Sequence, residues 1–107
     1  MEGEIRFVDA KLKAAFEELK GSDRELYDQV ERALAEINKN VFCCRNVRKK
    51  LIPKTLIRKY HINNLWIYNL PRGWRLLYSV INPSKVEVLA LVLDWMDHKD
   101  YERLFKF

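Results

Sequence analysis

A chain of 107 residues, 49% of them hydrophobic, matches a single domain with one core (residues 1–107) and leaves little room for a two-domain enzyme or a large cofactor-binding fold. Its longest apolar run, residues 88–93, is far too short to cross a bilayer, it opens on the acidic Met1-Glu2-Gly3-Glu4 rather than a signal peptide, and its two cysteines are adjacent (Cys43-Cys44), so no disulfide framework is expected and two free thiols in a reducing cytoplasm are. The net charge of +5 is segregated: residues 1–36 hold six basic and ten acidic side chains, residues 37–86 eleven basic and no acidic ones, and residues 87–107 three basic and five acidic.

Residues 4–8 alternate weakly, with Ile5 and Phe7 against Glu4 and Arg6, and read as a short first strand. Asp9 offers an N-cap, and Leu12, Ala15, Phe16 and Leu19 repeat at helical spacing up to Gly21. Ser22-Asp23-Arg24-Glu25 has the form of a capping box opening a second helix, whose apolar stripe is Leu26, Tyr27, Val30, Ala33, Leu34 and Ile37. So short a connection predicts an antiparallel helical hairpin with its acidic residues facing outward. Residues 39–64 carry the weakest pattern. Pro53 can open a short helix through Tyr60, with Leu56, Ile57 and Tyr60 inward, and Asn63-Asn64 reads as a turn.

Residues 65–70 and 74–81 are β-rich runs joined by Pro71-Arg72-Gly73. Asn82-Pro83-Ser84-Lys85 reads as a second turn, followed by a strand over residues 86–93 that is apolar on nearly both sides, as a doubly covered strand should be. Asp97 can cap a last helix with Tyr101, Leu104 and Phe105 on its apolar side. The fold class expected is α+β: a small, mainly antiparallel sheet covered by an N-terminal helical hairpin, with a short C-terminal helix. A four-residue turn at 82–85 pairs Ile81 with Val86, Arg75 with Val92 and Gly73 with Asp94, which gathers Arg72, Arg75 and residues 94–99 at one end of the sheet.

Fifty residues without a carboxylate make a field that attracts polyanions, with a solvated basic face as the alternative. Arg45, Arg48, Lys49, Lys50, Lys54, Arg58, Lys59 and Arg72 are the residues expected to track a nucleic-acid backbone. Arg75 stands between Trp74 and Leu76 in a strand, where a guanidinium needs an anion: a phosphate, or a salt bridge to Asp94 or Glu87. His98 and Lys99 open the last helix. A histidine there is a candidate for proton transfer or an ordinary surface residue. Tyr101 is a candidate acid–base or stacking group, or a packed member of its helix face. Trp66, Tyr68, Trp74 and Trp95 are core candidates, with stacking of one of them on a base as the alternative. Arg45 beside the cysteines would lower a thiol pKa, unless the pair is buried or incidental. No His, Cys, Asp or Glu set has metal-site spacing and no Gly-rich phosphate loop exists, so no metal or cofactor is expected.

The C-terminal half carries a resemblance. Leu65-Trp66-Ile67-Tyr68-Asn69-Leu70, then Gly73-Trp74-Arg75-Leu76-Leu77-Tyr78, then residues 86–93 and His98-Lys99-Asp100-Tyr101-Glu102-Arg103-Leu104-Phe105 resemble the RelE/ParE toxin superfamily of prokaryotic toxin–antitoxin systems. The order strand, two helices, three strands, helix is similar too, while residues 42–63 have no counterpart in compact members. The resemblance implies a cytoplasmic, metal-independent endoribonuclease that cuts mRNA, often on the ribosome, and a cognate antitoxin partner. It matches Arg75 to the strand arginine that contacts the scissile phosphate and Tyr101 to the late active-site tyrosine, with His98 and Lys99 at the basic positions before it. Ribonuclease members carry lysines in the strand where this chain has Ile67 and Asn69. The ParE branch shares the fold but poisons gyrase, and a degenerate RNA- or protein-binding module is the further alternative.

Overall fold

The computed structural model describes residues 4–84 and 87–106. Its elements are β1 (Glu4–Phe7), α1 (Ala10–Ser22), α2 (Arg24–Lys39), β2 (Arg45–Asn46), α3 (Lys54–Tyr60), β3 (Trp66–Asn69), β4 (Arg75–Ile81), β5 (Leu89–Met96) and α4 (His98–Phe105), with short 3-10 segments at Lys49–Leu51 before α3 and at Pro71–Gly73 before β4. The described residues are α+β: one five-stranded sheet in the order β1-β5-β4-β3-β2, in which only the β1–β5 pair is parallel. The helical hairpin follows the first strand rather than beginning the fold. No described helix is long and apolar enough to cross a membrane.

The helical hairpin forms where the apolar spacing puts it, but its corner is tighter than expected. Asp23, not Ser22, caps α2: its carboxylate accepts from the Leu26 N–H at 3.1 Å, while Ser22 stays in α1 and donates to the Glu18 carbonyl. A carboxylate at a helix N-terminus also meets the favourable end of the dipole. Glu25, the expected return arm of a capping box, instead pairs with Arg72 at 2.9 Å. Gly21 is helical, so α1 runs on to Ser22.

Strand pleat divides the apolar residues between two faces. One face holds Leu76, Tyr78, Ala90 and Val92, covered by Phe16, Leu26, Tyr27, Val30, Ala33 and Ile37 of the hairpin. Each of the fully buried aliphatic side chains there contributes about 1.5–3 kcal/mol. The aromatic candidates Trp66, Tyr68, Trp74 and Trp95 all pack on this side, so they serve the core. Tyr78 is wholly buried and its hydroxyl donates to the Val41 carbonyl at 2.8 Å; burial pushes its pKa up. The other face holds Ile67, Leu77 and Leu93, covered by Val47, Ile52, Leu56, Ile62 and Tyr101. Residues 47–62, where the sequence pattern is faintest, therefore build a second core. Within it Leu56 is buried but Ile57, expected inward, is exposed.

Two features of the sheet differ from the turn-based register. Ile81 pairs with Leu89 rather than Val86, because the connection between β4 and β5 is longer than four residues; Lys85 and Val86 lie outside the described residues. A bulge at Leu77/Tyr78 then inserts one more residue on β5, so Arg75 faces Met96 rather than Val92. The strand expected at 86–93 accordingly runs from Leu89 to Met96. Both shifts move the start of α4 closer to Arg75.

Candidate functional site

The β3–β4 connection sets the geometry. Arg72 and Gly73 both have positive φ (61° and 79°), and Trp74 donates to the Pro71 carbonyl at 3.3 Å, the form of a type I′ hairpin turn. Gly73 is required twice over, since a Cβ there would also lie 3.1 Å from that of His98. This tight turn fixes Asn69 opposite Arg75, and β5 supplies Met96 on the other flank. Arg75 thus stands on the middle strand at one end of the sheet, on the face away from the hairpin.

Tyr101 of α4 lies over it, with the Arg75 guanidinium carbon 4.9 Å from the ring centroid, a cation–π distance. Tyr101 is held there by the second core, at 4% exposure, with its ring 4.7 Å from that of Phe105. Arg45 on β2 donates to the Tyr101 hydroxyl at 2.7 Å from fifty-six residues away. The site is therefore two guanidiniums on one phenol, one on its face and one at its oxygen. Arg75 donates to the neighbouring Trp74 carbonyl at 3.3 Å, and its Nε is the one buried side-chain nitrogen or oxygen among the described residues without a hydrogen-bond partner. An orphaned buried donor costs about 1–3 kcal/mol. The salt bridge to Asp94 or Glu87 is not formed: among the described residues no carboxylate pairs with Arg75. Asp94 sits opposite Leu77, past the bulge. Burial raises its pKa, with Lys59 opposing and Asp100 adding to the shift.

The remaining expected site residues divide. His98 is on the first turn of α4, exposed, and bonded to Glu102 one helical turn on; Lys99 beside it is exposed. Arg72 is drawn to the hairpin by Glu25, away from the Arg75 centre. Arg48, Lys49 and Lys50 are exposed around the 3-10 turn, and Lys54 and Arg58 line a groove between α3 and α4. Lys59 points elsewhere, over Tyr60 and into the cleft that holds Asp9 and Asp94. Cys43 is exposed and Cys44 half-buried; burial and its bond with Cys43 push the Cys44 thiol up to about 12, in line with the buried alternative and not with a lowering by Arg45.

Two features around Arg75 and Tyr101 escaped the sequence reading. Asn69 had a legible signal: pairing Leu70 with Trp74 across the three-residue loop puts Asn69 opposite Arg75. The approach of Arg45 to Tyr101 had none, because β2 is two residues long and shows no period. No family model, curated protein or solved structure matches this chain.

Proposed function

We propose that this protein is a RelE-type toxin, a metal-independent endoribonuclease that cleaves mRNA, acting on the ribosome, and is held in check by a cognate antitoxin. The observation that carries the reading is Arg75: a guanidinium on the central strand, with a buried unpartnered Nε, no carboxylate among the described residues, and Tyr101 and Arg45 beside it. A phosphodiester supplies the missing acceptor. In the reaction the ribose 2′-oxygen attacks phosphorus, the P–O5′ bond breaks, and a 2′,3′-cyclic phosphate and a 5′-hydroxyl result. The 2′-hydroxyl gives up a proton and the leaving oxygen takes one. Arg75 and Arg45 stabilise the charge that develops on the phosphate oxygens, a preorganised electrostatic role. Tyr101 is the group positioned for proton transfer, ahead of His98, whose ring is engaged by Glu102. Lys99 and the exposed Arg48, Lys49 and Lys50 add charge for the RNA backbone. An acidic antitoxin segment fits the same charge field.

One observation favours a second reading. Ile67, in the strand beside Arg75, is 1% exposed in the second core, and Asn69 is the polar neighbour, so no strand ammonium reaches the site. A ParE-like toxin acting on gyrase does without those lysines. Incubation of purified protein with free RNA in EDTA, and with ribosome-bound mRNA in magnesium buffer, separates the two. Fragments ending in a cyclic phosphate support the ribonuclease. Intact RNA together with inhibited gyrase supercoiling supports the second reading.

A further inference from the structure

Cys43 and Cys44 have no part in the chemistry above, yet they adjoin one of its residues. Cys43 is exposed. The Cys44 side chain packs against the first core, its thiol beside that of Cys43 and the Tyr78 hydroxyl. Arg45 follows directly and reaches to the opposite face of the sheet, where it donates to the Tyr101 hydroxyl at 2.7 Å. The chain thus passes from one core to the other at the Cys44–Arg45 peptide. The two sides of this passage are held unequally. Before it, the Tyr78 hydroxyl donates to the Val41 carbonyl at 2.8 Å, the Phe42 N–H to Asn40 Oδ1 at 3.1 Å and the Cys43 N–H to the Asn40 carbonyl at 3.0 Å. After it comes β2, only two residues long; the register turns the Arg45 amide toward β3, and the Val47 N–H donates to the Leu65 carbonyl at 2.9 Å.

We infer that the Cys43–Cys44 pair is a reversible redox switch, and that closing it as a disulfide draws Arg45 away from Tyr101. Neighbouring Cα atoms are about 3.8 Å apart, less than the about 4.4–6.8 Å that disulfides usually span, so the ring that forms has to twist the peptide between the two cysteines. The twist passes to the more weakly held side, which is Arg45 and β2. The same strain makes the bond easy to reduce, so the dithiol is the resting state and the bond forms only under oxidation. The oxidant is a small disulfide such as oxidised glutathione. The exposed Cys43 sulfur attacks it and expels one glutathione thiol; the Cys44 sulfur then attacks Cys43 and expels the second. Two S–H bonds break and one S–S bond forms, while the two electrons and two protons pass to the glutathione disulfide and leave two glutathione thiols. Control of RNA cleavage by this switch rests on the ribonuclease reading; the movement of Arg45 does not.

The test incubates purified protein with oxidised glutathione, identifies the product by intact mass, and compares amide hydrogen exchange before and after. The chain should lose the mass of two hydrogens, exchange at Arg45 and Val47 should quicken by about tenfold or more, and dithiothreitol should reverse both. Cys43→Ser, an exposed substitution, should abolish the response. Cleavage of free RNA in EDTA should fall by about tenfold or more in the oxidised sample, the effect of losing a hydrogen bond from a guanidinium. A protein that stops at a mixed disulfide with glutathione, or that links to a second chain, overturns the inference. So does an internal bond that leaves exchange at Arg45 and Val47 unchanged. Faster exchange with undiminished cleavage overturns the control of activity. Faster exchange in a protein that cleaves no RNA in either state upholds the switch and removes the ribonuclease reading.

Discussion

The two faces of the sheet both carry an apolar core but differ at one end. On the hairpin side, Phe16, Tyr27, Val30, Ala33 and Ile37 close over the strands, and the charged groups of α1 and α2, of both signs, are turned to solvent. On the other side a second core is made by residues 47–62 and α4, and at one end of the sheet its member Tyr101 meets Arg75 and Arg45. The first face holds the fold together. The second accepts an arginine with an unpartnered Nε in its middle strand, a cost a purely structural face has no reason to carry. On the ribonuclease reading proposed above, stability and chemistry fall on opposite sides of a single layer of strands, and substitutions on the two faces should have separable effects.

The largest effect on stability belongs to the hairpin face. Ile37→Ala removes a fully buried side chain and should lower the unfolding free energy by about 2–5 kcal/mol in a denaturant titration. Cleavage per folded molecule should be unchanged. Tyr101→Phe reverses the pattern: the ring over Arg75 is kept and the bond from Arg45 is lost. Cleavage should fall on the order of a hundredfold, while stability moves by no more than about 1.5 kcal/mol. An equal loss in both quantities would mean that the hydroxyl is only a packing element.

Asp94 offers a smaller and pH-dependent effect. Its folded pKa is raised by burial, so the folded state holds a proton that the unfolded chain has released, and stability falls as pH rises from the unfolded carboxylate range, about 3.9, through the raised folded value. Asp94→Asn should therefore raise the melting temperature at neutral pH, with the gain disappearing below about pH 4. A gain of the same size at every pH would trace to something other than ionisation. The least effect is expected at Arg72, whose pair with Glu25 is exposed. Arg72→Ala should change stability by under about 1 kcal/mol and leave cleavage intact, in contrast to the expectation that Arg72 contacts RNA.

The same division explains how far the sequence could be read. The hairpin face was legible because α1 and α2 are long enough for a 3.6-residue period to show, and β4 because its run from Leu76 to Val80 is bounded by a turn. The Gly73 turn and the Asp97 cap announce themselves by residue type. The site face was legible only in pieces. Arg75 stood out as a charge inside a strand. Its true partner on β5, Met96, depends on a loop length and a bulge, neither of which leaves a trace in hydrophobic pattern. The contact of Arg45 with Tyr101 depends on β2, two residues held by pairing with β3 rather than by any propensity of their own. Ile57 and Leu56 differ in burial because the seven-residue α3 has room for only a narrow apolar stripe, which the sequence drew too wide.

The central claim is that Arg75 is present for a phosphate and not for the fold, and Arg75→Ala measures it most directly. RNA cleavage, on free RNA in EDTA and on ribosomes in magnesium buffer, and thermal unfolding are followed on one preparation each of wild type and variant. The account predicts that cleavage falls by at least about a hundredfold and that the melting temperature is held or raised, since an unpartnered buried donor is removed. A variant that cleaves at the wild-type rate, or one that loses activity only as it unfolds, would contradict it.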